Sequence, residues 1–99
     1  MSFLATSTAY SLNGTILTAS FPTTHGTTHT STIDLDDNYG NEEGKFVYGG
    51  KHFSRTASRI YIDGAILHAT LRRTFGRSIQ ASVNLNDHIE NSNGTLIWK

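Results

Sequence analysis

Cysteine is absent from this chain, and proline, tryptophan and methionine occur once each. Without cysteine there is no disulfide, no thiolate nucleophile and no cysteine-ligated metal. Neither sign of charge prevails, with eight Lys and Arg against eight Asp and Glu. The basic excess that drives phosphate-backbone binding is therefore missing, and no nucleic-acid partner is expected. No apolar run approaches the ~18 residues that mark a spanning helix, so no membrane span is expected. The opening Met1-Ser2-Phe3-Leu4-Ala5-Thr6 has no basic or long apolar segment of the secretory kind. A cytoplasmic location is the expectation that follows.

What the chain does have is itself, twice. Shifted by fifty residues, it matches without a gap: Phe3 meets Phe53, Gly14 meets Gly64, Leu17 meets Leu67 and Ala19 meets Ala69. Leu35 meets Leu85, Asp37 meets Asp87, Asn41 meets Asn91 and Gly44 meets Gly94. A repeat of this length is a structural unit. Units of that size bury too little surface to stand alone. The 99 residues therefore read as a single domain, 1–99, built from repeats 1–50 and 51–99 around a shared core.

The hydrophobic period is two. Leu67, Ala69 and Leu71 alternate with His68 and Thr70, and Ile79, Ala81 and Val83 alternate with Gln80 and Ser82. This is the pattern of half-buried strands. Turn pairs punctuate it at Asn13-Gly14, Glu43-Gly44, Asp63-Gly64 and Asn93-Gly94. The Asn-Gly pairs predict type I′ hairpins, which also explains their two Asn-Gly-Thr glycosylation triplets more simply. Single helical turns are predicted after Asp34, after Asn84 and around Phe3 and Phe53, the first two capped by the Asp and Asn.

Familiar catalytic and metal patterns fail. His25 and His29 have i, i+4 spacing, but they flank a glycine turn, and their repeat mates Phe75 and Ile79 are not ligands. Counting from Asp34, Tyr39 falls where a calcium loop needs Gly and Lys45 where it needs Glu. The carboxylates of 34–37 read instead as solvated turn residues. No Gly-x-Ser-x-Gly elbow occurs. The carboxylates Asp37, Glu42 and Glu43 meet Asp87, Ser92 and Asn93, which keep polarity and mostly lose charge. No enzyme, metal or cofactor is expected.

Three segments carry a resemblance: Val83-Asn84-Leu85-Asn86-Asp87-His88-Ile89-Glu90-Asn91-Ser92-Asn93-Gly94-Thr95-Leu96, the related Ser31 to Phe46 stretch, and Tyr48-Gly49-Gly50-Lys51-His52-Phe53. They resemble the cyanovirin-N homology family, in its fungal, cysteine-free form, over the whole chain with one short deletion near Gly64. The resemblance implies an all-β, pseudo-symmetric fold. Two three-stranded sheets each carry a β-hairpin, strands are exchanged between repeats, and short 3-10 turns join them. It implies a lectin for mannose-rich oligosaccharides or glycoproteins, with terminal α1→2-linked mannose as ligand. The alternative is a protein-binding or structural β-module using the same loops.

Two pockets at opposite ends follow from the resemblance. The favoured one takes Asn41, Glu42, Glu43, His52, Phe53, Thr56, Arg72, Arg73 and Thr74. The weaker one takes Ser2, Thr6, Thr23, Thr24, His25, Asn91 and Asn93. An acidic residue expected at each pocket floor becomes Glu43 and Asn93, so the weaker end lacks a charge. Disulfide-bearing members place cysteines where this chain has Ser7, Phe21, Ala57 and Leu71, and these are expected to pack as two apolar or near-apolar pairs. The joint at Gly49-Gly50 implies a monomer in which a hinge permits a domain-swapped dimer.

Overall fold

The structure, a computed structural model, describes residues 7–23 and 26–99. Ten strands and three single 3-10 turns lie among these residues. Strands β1 (Ala9–Asn13), β2 (Ile16–Pro22) and β3 (Thr28–Asp34) form one antiparallel sheet. Strands β6 (Ala57–Asp63), β7 (Ile66–Leu71) and β8 (Ile79–Asn84) form its twin. Strands β4 (Tyr39–Glu42) and β5 (Lys45–Tyr48) make one hairpin, and β9 (Ile89–Ser92) and β10 (Thr95–Trp98) make the other. The all-β, twofold plan read from the repeat is the plan observed.

Alternation sends one face of each central strand inward. Leu17, Ala19 and Phe21 on β2 are buried, as are Leu67, Ala69 and Leu71 on β7. Leu35, Phe53, Leu85, Ile89 and Leu96 complete a single core drawn from both copies. Phe21 and Leu71, which stand where relatives place cysteines, are only 1% and 0% exposed. Ala57 lies opposite Leu71 in the β6–β7 register. Apolar packing thus occupies one of the two crosslink positions.

The exchange between copies is carried by the hairpins. Hairpin β4–β5 of the first copy packs on β8 of the second, and β10 packs on β3. The Leu96 amide donates to Ser31 Oγ at 3.0 Å. The bases of the hairpins meet through Tyr39, whose ring makes edge contacts with Trp98 at 5.6 Å and Tyr48 at 6.0 Å. Their tips reach away, to His29 at the far margin of the first sheet and Ile79 at the far margin of the second. The molecule is elongated accordingly, 53 × 21 × 17 Å.

Two local expectations need correction. The loop of the β1–β2 hairpin is Gly14-Thr15, between paired Asn13 and Ile16. Only Gly14 of the two has positive φ, which is the signature of a type II′ turn rather than I′. Asn93-Gly94 does have positive φ at both residues, as type I′ requires. The carboxylates of 34–37 are not all solvated. Asp34 caps the Leu35–Asp37 turn by accepting from the Asp36 amide at 3.0 Å, and it also accepts from Thr15 Oγ1 at 2.8 Å. Gly50 has no positive φ, whereas Gly49 does. What Gly50 supplies is space, since a Cβ there would lie 2.9 Å from both Cα and N of Gly40.

Candidate functional site

The tip of the β4–β5 hairpin is a two-residue turn, Glu43-Gly44, between paired Glu42 and Lys45. Both φ angles are positive, 51° and 86°. Gly44 is demanded twice over, because a Cβ would also meet the Ile79 side chain at 2.7 Å. The turn is thereby pressed against the start of β8. Glu43, held in a left-handed backbone, projects its carboxylate to the loop that follows β7. There it accepts from the Thr74 amide at 3.3 Å and from Thr74 Oγ1 in a short contact.

Asn41 stitches the same place from below. Its Oδ1 accepts from the Gly44 amide at 2.9 Å and fixes the turn. Its Nδ2 donates to Thr56 Oγ1 and to the Arg72 carbonyl, both at 2.8 Å. The Arg72 amide in turn donates to the Thr56 carbonyl at 2.9 Å. One amide side chain therefore joins the first copy's hairpin to two segments of the second.

Thr56 is itself positioned by Asp36, another of the carboxylates that the sequence reads as solvated. Asp36 accepts from the Ser54 amide at 3.1 Å and from Ser54 Oγ at 2.5 Å. Its carbonyl accepts from the His52 amide at 2.8 Å. These bonds hold the Phe53–Thr56 turn onto the first copy. The available signal was an Asp inside the short Leu35–Asp37 turn, but its partner lies eighteen residues away.

An open cavity of about 280 Å³ results, lined by Asn41, Glu42, Glu43, Thr56, Arg72, Arg73 and Thr74. Seven of the nine residues expected here thus share one concave surface. His52 and Phe53 do not line it. Phe53 is fully buried and meets Phe46 edge-on at 5.2 Å, so it supports the floor from inside the core. The lining combines two carboxylates, an amide, hydroxyls and two guanidinium groups. That is a set able to serve hydroxyl groups both as acceptor and as donor. Among the described residues no group of three His, Asp or Glu side chains converges as a metal site would require.

Of the residues expected at the other end, Ser2, Thr6, Thr24 and His25 lie outside the described residues. Thr23 closes the β2–β3 connection, its amide donating to the Thr27 carbonyl at 2.8 Å and its Oγ1 lying 2.7 Å from Thr27 Oγ1. Asn91 repeats the role of Asn41, its Oδ1 accepting from the Gly94 amide at 2.7 Å. Asn93 repeats the backbone of Glu43 with φ 53°.

Comparison with known proteins follows the same lines. The family model described as CVNH domain matches residues 3–97. The NMR structure of the Gibberella zeae CVNH protein is 39% identical, with TM-score 0.84 over 97% of this chain and 95% of that one. A designed cyanovirin-N homolog lectin, LKAMG, is 36% identical, with TM-score 0.87 over the whole of both chains. Microvirin, solved as a mannobiose complex, is 21% identical over 99% of this chain and 98% of that one, and its TM-score of 0.87 shows a shared fold. No match was found among curated proteins.

Proposed function

The chain belongs to the CVNH domain family, and from that membership we propose that it is a carbohydrate-binding lectin for mannose-rich glycans. We infer that the cavity around Asn41, Glu43 and Thr56 takes a terminal α1→2-linked mannose. The observation that carries this reading is the cross-repeat network in which Asn41 and Glu43 bind Thr56, Arg72 and Thr74. It fixes acceptors and donors before any ligand arrives, which lowers the ordering cost of binding. Vicinal sugar hydroxyls each offer a donor and an acceptor, and Glu43 supplies the charge-assisted acceptor that holds them most strongly. The 36% identity to a designed lectin supports the same class.

In this reading Glu43 exchanges its bond to Thr74 for a sugar hydroxyl, or shares its second oxygen with one. Arg73 and Glu42 close on the ring from the rim. A titration followed by amide NMR, using the α1→2-linked mannose disaccharide, tests it. Saturable shifts at Gly44, Thr56 and Thr74 are expected. A spectrum unchanged at millimolar disaccharide would overturn the assignment, and shifts produced instead by a peptide would favour a protein-binding module.

A further inference from the structure

The two copies serve as controls for one another, and on one face they differ sharply. On the outer face of the second sheet, Tyr61 and His68 are register partners whose rings stack at 4.8 Å and 13°. Tyr61 is 55% exposed. Beside them Arg59, Thr70 and Gln80 line a recess of about 50 Å³ that crosses all three strands. The matching residues of the first sheet are Ala9, Ser11, Thr18, Ser20 and Thr30, with no aromatic and no charge.

Backbone strain marks the same spot. The β6–β7 register shifts between Ser58 and Tyr61, and Arg59 in that bulge has φ 53°. An arginine in left-handed backbone costs on the order of 1 kcal/mol or more, and such strain gathers at functional positions. Its mate Ala9 is not strained in this way: it has no positive φ, and the β1–β2 register runs without a shift. Arg59 also has no hydrogen-bond or ion-pair partner among the described residues, and no carboxylate lines the recess.

We propose that this recess is a second, separate binding site, for the anionic group of an acidic saccharide. The recess has room for a carboxylate or a sulfate but not for a whole pyranose. Arg59, Thr70 and Gln80 offer donors to that group, and a guanidinium pairs with such an anion in two-pronged geometry. The sugar ring lies outside it against exposed Tyr61, whose flat face suits the C–H face of a pyranose. An acidic peptide fits less well. The recess runs across the strands rather than along an open edge, so a peptide gains no main-chain pairing.

The test is an amide NMR titration of the full chain with methyl glucuronide, glucose 6-sulfate and methyl glucoside. The two acidic sugars are expected to move His68, Thr70 and Gln80, and the stronger of them identifies the anion. Methyl glucoside should move none of these. Of the variants that restore the first copy's residues, Arg59→Ala should weaken binding by about tenfold or more, the lower scale of a charged hydrogen bond, and Tyr61→Ser by about two- to tenfold, the scale of an aromatic contact. Their response to the mannose disaccharide at Thr56 and Thr74 should be unchanged, which separates this site from the mannose cavity. Equal response to methyl glucoside, shifts confined to the Asn41 cavity, or equal competition by polyglutamate would each overturn the proposal.

Discussion

The two hairpin tips share a scaffold and differ in chemistry. Asn41 and Asn91 each accept the amide of a glycine three residues on, at 2.9 and 2.7 Å. Both tips adopt the same pair of positive φ angles. Yet where one tip carries Glu43, bonded to Thr74, the other carries neutral Asn93. Where one has the guanidinium groups of Arg72 and Arg73, the other has Pro22 and Thr23. The two copies keep the residues that fold the turn and differ in those that line the cavity. The difference teaches that backbone geometry alone does not make two ends equal.

The largest effect is expected below the Glu43 end rather than in it. Asp36→Ala removes two hydrogen bonds to a carboxylate and should cost about 3 kcal/mol, at the lower figure of about 1.5 for each. Chemical denaturation measures it, and a change below about 1 kcal/mol would mean that the Phe53–Thr56 turn is held by packing alone. Next, Glu43→Ala should weaken mannose disaccharide binding by about 1.5–3 kcal/mol, whereas Asn93→Ala costs less because its amide is neutral. Calorimetry of both variants decides whether the ends differ as argued. Equal losses would erase the contrast.

Gly50→Ala probes a contact that only one end possesses, because Glu90 stands where the other copy has Gly40. The added Cβ meets backbone, so a penalty of about 1–3 kcal/mol to the compact monomer is expected. Sedimentation across a concentration series should show more dimer, since an opened hinge favours exchange of the halves. An unchanged monomer fraction would detach the joint from assembly.

The smallest effect concerns Tyr39, which is fully buried with no partner for its hydroxyl among the described residues. Its mate Ile89 is buried without one. Tyr39→Phe should therefore stabilise the fold by about 1 kcal/mol, the penalty of an unpaired group. Burial, with the nearby Tyr48 and Asp87, pushes the Tyr39 phenol well above its ordinary pKa of 10.0. A raised folded pKa means that its share of stability is intact below pH ~10 and is lost as pH climbs further. The wild type should lose stability through that window and the Phe variant less so, as melts from about pH 9 to 11 will show.

Much of this was legible in the residues. The offset of fifty and the period of two, seen in Leu67, Ala69 and Leu71, gave the sheets and their inward faces. The cavity lining was legible through family likeness, with Asn41, Glu43 and Thr56 brought together as expected. What was hidden shares a cause. Asp36 capping the Ser54 turn, Gly50 pressed on Gly40, and Phe53 turned inward all depend on partners from distant segments. Local pattern assigns a residue to a strand or turn, but not to the neighbour that the fold brings over it. Arg59 was hidden differently, since a bulge in β6 leaves no mark in the alternation.

The crossed hairpins impose an order of assembly on a chain made from its first residue to its last. The bond from Thr74 to Glu43 spans 31 residues, whereas that from Leu96 to Ser31 spans 65. Longer closures cost more entropy and come later. As the polypeptide leaves the ribosome, the Glu43 end has all its parts once β8 has emerged. The first sheet must wait, its His29 margin uncovered, until β10 follows. For that interval the growing chain has every residue of one end and an uncovered margin at the other, which makes the last strand the cover that closes the first sheet.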